Sequence, residues 1–240
     1  MHDFWIYIIT FAASLLTLLT GFGLGTILTP VFALVFDIKV AVLLVAIVHF
    51  LNNLFKFSLF RRHVNSAILK RFGIVSIAGA FLGAMLQTYL YTSSLKVFLG
   101  LVLIFLGVAE LNIKGMSFKF PRKVDILGGL FSGLLGGLIG NQGAIRSAYL
   151  LNYGISKEEF IATATVIALV IDATRIPIYL TNQFHVFENI PLKMVIVIGV
   201  AFLGTLLGKK LLKRFSLSMF KKIVALFVVV MGLLFVIGLL

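Results

Sequence analysis

Five side chains able to carry charge stand inside long apolar runs of this 240-residue chain: His49, Lys56, Arg146, Asp172 and Arg175. A charge at the centre of a membrane helix costs about 3 kcal/mol on the insertion scale, so such residues face a cavity or a partner and mark function by default. Lys56 follows His49, Asn52 and Asn53 at helical spacing, which puts all four on one stripe. Asp172 precedes Arg175 by three positions, close enough to pair on a helix. Arg146 has no acid nearby in sequence and comes directly after Gly140-Asn141-Gln142-Gly143. Three deep cations against one deep acid describe an anion site. Asp172 and His49 are the candidates for moving a proton. Two blander readings stay open: Lys56 is five residues from Arg61 and can extend to the interface, and Asp172–Arg175 can be a purely structural pair.

Other chemistry finds no support. Cysteine is absent and the four histidines are scattered. No Walker loop or dinucleotide fingerprint follows a strand pattern, and Ser132-Gly133 is not in a nucleophile-elbow context. The chain reads as a non-enzyme with no cofactor and no metal.

The elements that must hold these residues are membrane helices. Hydrophobic residues make up 61% of the chain and charged ones 12%, and mean hydropathy is +1.15. Runs such as Ala67–Tyr91, Leu95–Ile113 and Ile223–Leu240 reach the roughly 20 residues that cross a hydrocarbon core. The net charge of +13 would suggest nucleic acid in a soluble protein. Here the basic residues gather at Arg61–Arg71, Lys114–Lys123 and Lys209–Lys222, while Thr92–Leu95 and Thr181–Pro191 have none. Positive loops stay in the cytoplasm. The expected partners are therefore a small anion and membrane lipids, with no nucleic acid. The charge pattern predicts a multi-pass protein of the plasma (bacterial inner) membrane with both termini external. Met1-His2-Asp3 lacks the basic start of a cleaved signal peptide, so the first run is expected to stay.

The second half echoes the first. Ala80-Phe81-Leu82-Gly83 recurs as Ala201-Phe202-Leu203-Gly204, Ser94-Leu95-x-x-Phe98 as Ser216-Leu217-x-x-Phe220, and Asn53-x-x-Lys56 more weakly as Asp172-x-x-Arg175. The loop at 61–66 is basic and its counterpart at 181–191 is not; the reverse holds for 92–96 and 209–222. The expected fold is an all-α inverted repeat, with residues 1–113 as the first copy, 114–124 as a basic cytoplasmic linker and 125–240 as the second. Each half should hold three crossings and a glycine-broken helical hairpin. Phe4–Phe36 is too long for one span, at roughly 50 Å as a helix; it is broken at Thr20–Gly25 and ends its turn with Pro30. Gly128 to Gly143 break the second copy. Broken helices in matching positions are the best sequence pointer to a transporter's binding site. Gly21, Gly23 and Gly25 therefore join Asn52, Asn53, Lys56, Asn141, Gln142, Arg146 and Arg175 as candidate ligand contacts. The spaced pairs Gly79/Gly83 and Gly204/Gly208 read as helix-packing surfaces instead.

Gly21-Phe22-Gly23-Leu24-Gly25-x-x-x-x-Pro30, the glycine run at 133–143 and the basic turn after the third apolar run resemble the TauE/SafE family of sulfite and organosulfonate exporters. The resemblance covers nearly the whole chain and implies a permease for a small sulfur-containing or other organic anion. The family pattern has a proline where this chain has Ala148-Tyr149, and mostly glycine or apolar residues at Asn141, Gln142 and Arg146. An anion channel with the same cavity and a non-transporting membrane scaffold are the alternatives.

Overall fold

The computed structural model describes residues 2–20, 24–112, 124–151, 153–183, 191–211 and 218–239. Residues 113–123, which hold nearly all of the expected linker 114–124, the segment 184–190 and the segment 212–217 lie outside these residues, as do Gly21 and Gly23. Among the described residues there is no strand. The helices are α1 (His2–Thr20), α2 (Leu24–Ala33), α3 (Ile38–Phe60), α4 (Ser66–Ile68), α5 (Ile74–Tyr89), α6 (Thr92–Asn112), α7 (Asp125–Ile139), α8 (Gly143–Leu151), α9 (Lys157–Gln183), α10 (Pro191–Leu211) and α11 (Ser218–Val236). A single π turn, Leu69–Gly73, joins α4 to α5.

Five of these spans are long and apolar enough to cross a membrane, and shorter apolar helices cover Phe4–Leu18, Leu24–Ala33, Asp125–Ile139 and Ala225–Val236. Large apolar side chains face outward on the flanking helices, among them Phe81 on α5, Phe105 on α6, Leu203 on α10 and Leu226 on α11. In water such a surface would aggregate; in lipid it is the solvent-matched face. The protein is a multi-pass, all-helical membrane protein. Helices α3 and α9 lie in its middle, with Ala41–Ala46 of α3 fully enclosed.

Both expected hairpins form. α1 packs on α2, and α7 on α8 across Gly140–Gln142; the core of the expected first break, 21–23, lies outside the described residues. Gly140 caps α7 with φ 76°, the left-handed region that costs a side-chain-bearing residue energy and glycine little. Pro30 differs from expectation. It does not end the turn but sits inside α2, which runs on to Ala33. Proline removes one ladder hydrogen bond, and α2 tolerates this because all ten of its residues are buried against neighbours that hold its shape.

Contacts cross between the two halves of the chain. α5 packs on α7, α1 on α10, α6 on α11 and α3 on α9. Glycines set the first of these seams: a Cβ at Gly129, Gly133 or Gly137 would meet the backbone of Phe72, Ser76 or Ala80 in turn. Both numbers advance together, so α5 and α7 run parallel. Gly204 and Gly208 approach the backbone of Phe11 and Leu15 in the same way, so α1 and α10 run parallel too. The expected packing role of Gly79, Gly83, Gly204 and Gly208 is what the structure has. Gly133→Ala is expected to force the α5–α7 backbones apart and cost about 1–3 kcal/mol, the usual range for overpacking. The melting temperature of detergent-solubilised protein checks this, and an unchanged value would contradict the close approach.

Candidate functional site

Asp172, on α9, is the centre of a buried polar cluster and is itself 0% exposed. Three elements converge on its carboxylate. His49 Nδ1 of α3 lies 2.6 Å from Oδ2. Arg175 donates from Nε to Oδ1 at 2.9 Å, and Gln142, in the break after α7, donates from Nε2 to the same oxygen at 3.2 Å. Asn53 Nδ2 lies 3.1 Å from His49 Nδ1. A carboxylate in so dry a place survives as an anion only when donors surround it in this way.

Arg175 has a second task. Its Nη1 donates to the Gly136 carbonyl at 2.7 Å, Tyr179 donates through its hydroxyl to the Gly137 carbonyl, and Gln87 of α5 donates to Leu138 at 3.0 Å. These are last-turn carbonyls of α7, where the helix ladder runs out of donors; Gly136 keeps only the N–H of its cap, Gly140, at 3.0 Å. In water they would be solvated; in a membrane interior protein groups must replace the water. A cation at a helix C-terminus also suits the helix dipole. Arg175 therefore holds the broken end of α7 and pairs with Asp172. The structural reading of this pair is the one the geometry favours.

The start of α2 meets the break between α7 and α8. A Cβ on Gly25 would overlap the Gly140 carbonyl, and Thr26 donates to Asn141 Oδ1 at 2.9 Å. Ser132 holds the Gln142 carbonyl at 3.0 Å. Residues of the first hairpin and of the second thus form one joint, with Arg146 in the first turn of α8 just beyond it.

Lys56 and Arg146, each 3% exposed, line one pocket together with Thr17, Asn53, Thr165, Ile161 and Ala164. No carboxylate is among the lining residues. Its empty volume is about 240 Å³, counting the space at its mouth. Lys56 does not extend to the interface. Asp172 forms ion pairs with His49 and with Arg175, and among the described residues no ion pair to the Lys56 amine is found.

Of the residues singled out from sequence, Asn53, Lys56 and Arg146 line the pocket. His49, Asp172, Arg175 and Gln142 form the cluster beside it, with Asn53 belonging to both. Asn141 and Gly25 belong to the joint. Asn52 faces α10, where its Oδ1 accepts from Thr205 at 2.8 Å. Gly21 and Gly23 lie outside the described residues. Sequence reasoning missed Thr17, Gln87, Thr26 and Tyr179 as partners; the signal was there for Gln87, a lone amide in an apolar span. Tyr179 carries no such mark, because tyrosine is common in apolar helices.

Comparison with curated proteins returns no match. The profile of the sulfite exporter TauE/SafE family matches residues 6–235, nearly the whole chain and all of the helices that build the pocket. That family is one of membrane transporters, and this chain belongs to it.

Proposed function

We propose that the protein is a secondary transporter for a small anion, sulfite or an organosulfonate or a related sulfur-containing anion, working by alternating access. The observation that carries this reading is the pocket shared by the buried cations Lys56 and Arg146. Two like charges held together away from water repel each other, and a bound dianion or sulfonate offsets both desolvation and repulsion. Asn53, Thr17 and Thr165 add neutral hydrogen-bonding groups, and α8 begins one turn from Arg146 with its dipole positive.

Alternating access rests on the two halves, 1–113 and 125–240, acting as an inverted repeat. The packing of α1 on α10 and of α7 on α5 supports that reading, since exchanging the halves converts one contact into the other. His49 and Asp172 are the proposed proton carriers. Asn53 links them to the pocket, so an anion on Lys56 is felt at the imidazole through one side chain.

The test is flux of radiolabelled sulfite into proteoliposomes holding the purified protein. A transporter shows counterflow, with external tracer accumulating against unlabelled sulfite inside; a channel conducts without it. Lys56→Gln is expected to lower the initial rate at subsaturating sulfite by about 10-fold or more, the weight of one charge-assisted hydrogen bond. His49→Gln is expected to keep counterflow but lose acceleration by a pH gradient. Wild-type rates in Lys56→Gln would place the site elsewhere. Both termini are placed on the external face, at the bacterial inner membrane. Cysteines introduced at Ser94 and Asn182 should then label from outside and one at Ser66 should not; the opposite pattern would reverse the orientation.

A further inference from the structure

The Lys56–Arg146 pocket is not at the centre of the molecule. Lys56 is four residues before the end of α3, and Ile161 to Thr165 are in the second and third turns of α9. An anion seated there still has most of the membrane to cross.

We propose that the seam between α1, α3 and α10, lined by the hydroxyls of Thr10 and Ser14 and the amide of Asn52, is a hydrated leg of the translocation route. It would carry the anion between the pocket and the membrane face on which α1 starts. The proposal rests on the transporter reading and adds the path to it.

Three observations support the seam. Thr10, Ser14 and Thr17 follow one another at i, i+4 and i+7, so they share a face of α1, and Thr17 lines the pocket. Ser14 is directed at α10, since a Cβ on Gly204 would come within 3.0 Å of its own. The next residue of α10, Thr205, binds Asn52 of α3. Finally, Thr10, Ser14 and Asn52 are all 0% exposed, yet the Thr10 and Ser14 hydroxyls and the Asn52 Nδ2 have no hydrogen-bond partner.

The buried hydroxyls of Thr29 and Ser147 are in the same state, but several others are not. A hydroxyl in an apolar helix ordinarily donates to a carbonyl one turn back. Thr17 does so to Ala13, Ser76 to Phe72 and Thr174 to Val170, at 2.7–2.8 Å. Thr10 and Ser14 have the same acceptors within reach and leave them. An unmet hydroxyl or amide in a dry interior costs about 1–3 kcal/mol, a cost removed if the seam takes up water and passing anions. The groups are also of the right kind: Thr205 occupies the Asn52 oxygen and leaves its N–H donors facing the seam, where they and the hydroxyls can donate to an anion. No acid lies on it. From Thr10 to Thr17 the stripe covers about 10 Å at 1.5 Å per residue, roughly a third of the hydrocarbon core.

The chain has no cysteine, so single cysteines report accessibility without background. Thr10→Cys, Ser14→Cys and, as a control on the same helix, Ala13→Cys would be exposed to a small anionic thiol reagent from each face of the membrane in the full-length protein. Modification of the first two from the α1 face is expected to be about 10-fold faster than that of Ala13→Cys, which sits in the apolar core at 1% exposure. In proteoliposomes, the double variant Thr10→Val/Ser14→Ala is expected to carry sulfite about 5- to 10-fold more slowly, the loss of one to two neutral hydrogen bonds. Modification no faster than the control, or a double variant with wild-type flux, would overturn the route while leaving the pocket intact. A wild-type protein that moves no anion would overturn the transporter reading and the route with it.

Discussion

Arg175→Gln is expected to lower stability by about 3–5 kcal/mol, the usual cost of removing one partner from a buried ion pair. The arginine loses two roles at once. Asp172 keeps His49 and Gln142 but loses its 2.8–2.9 Å guanidinium contacts, and the Gly136 carbonyl loses the side-chain donor that substitutes for water at the end of α7. In detergent the melting temperature should fall by on the order of 10 °C, taking about 2–4 °C per kcal/mol for a chain of this size. Arg175→Lys should recover little, since one ammonium cannot span the carboxylate and the carbonyl as the guanidinium fork does. Wild-type stability in Arg175→Gln would mean that neither contact supports the fold.

Arg146→Gln is expected to do the opposite: weaken sulfite binding by roughly 10- to 150-fold, the range of a charge-assisted hydrogen bond, with the melting temperature close to wild type. Arg146 shares its pocket with another cation, so removing it relieves repulsion on Lys56 in the empty protein and strips attraction from the bound one. Arg146→Lys keeps the charge but not the planar fork and should restore affinity in part. The check is a titration of thermal stability against sulfite for wild type and both variants. Wild-type affinity in Arg146→Gln, together with a large loss of stability, would make Arg146 a scaffold residue.

The contrast between these two arginines shows what was legible beforehand. Deep charges in apolar runs are visible in any sequence, because burial cost is a property of residue type and span length. Lys56, Arg146, Asp172 and Arg175 were found in that way, and the glycine break after α7 by composition alone. What each charge does depends on its neighbours in space. Arg175 pairs with Asp172, which spacing suggested, but it also holds a carbonyl 39 residues away. His49 reaches Asp172 across 123 residues, and no local pattern connects them. The split between pocket and cluster was likewise hidden: Asn52 and Asn53 are adjacent in sequence, yet one turns to Thr205 and the other to His49. The continuation of α2 through Pro30 was misread because proline was weighed as a local helix breaker, when the packing around α2 outweighs one missing hydrogen bond.

The crossed packing of the halves also has a consequence for how the chain is made. α1 is synthesised first, yet its parallel partner α10 begins only at Pro191, so about 170 residues must follow before the two can meet. At 5–20 residues per second this is a wait of about 10–35 s, during which the glycine-fitted face of α1 has no mate. α7 emerges to find α5 already in place. A ribosome that stops after the first half is therefore expected to leave a product whose α1 face has no mate. Expressed as two separate chains divided at the linker, the halves should accumulate together and be degraded apart.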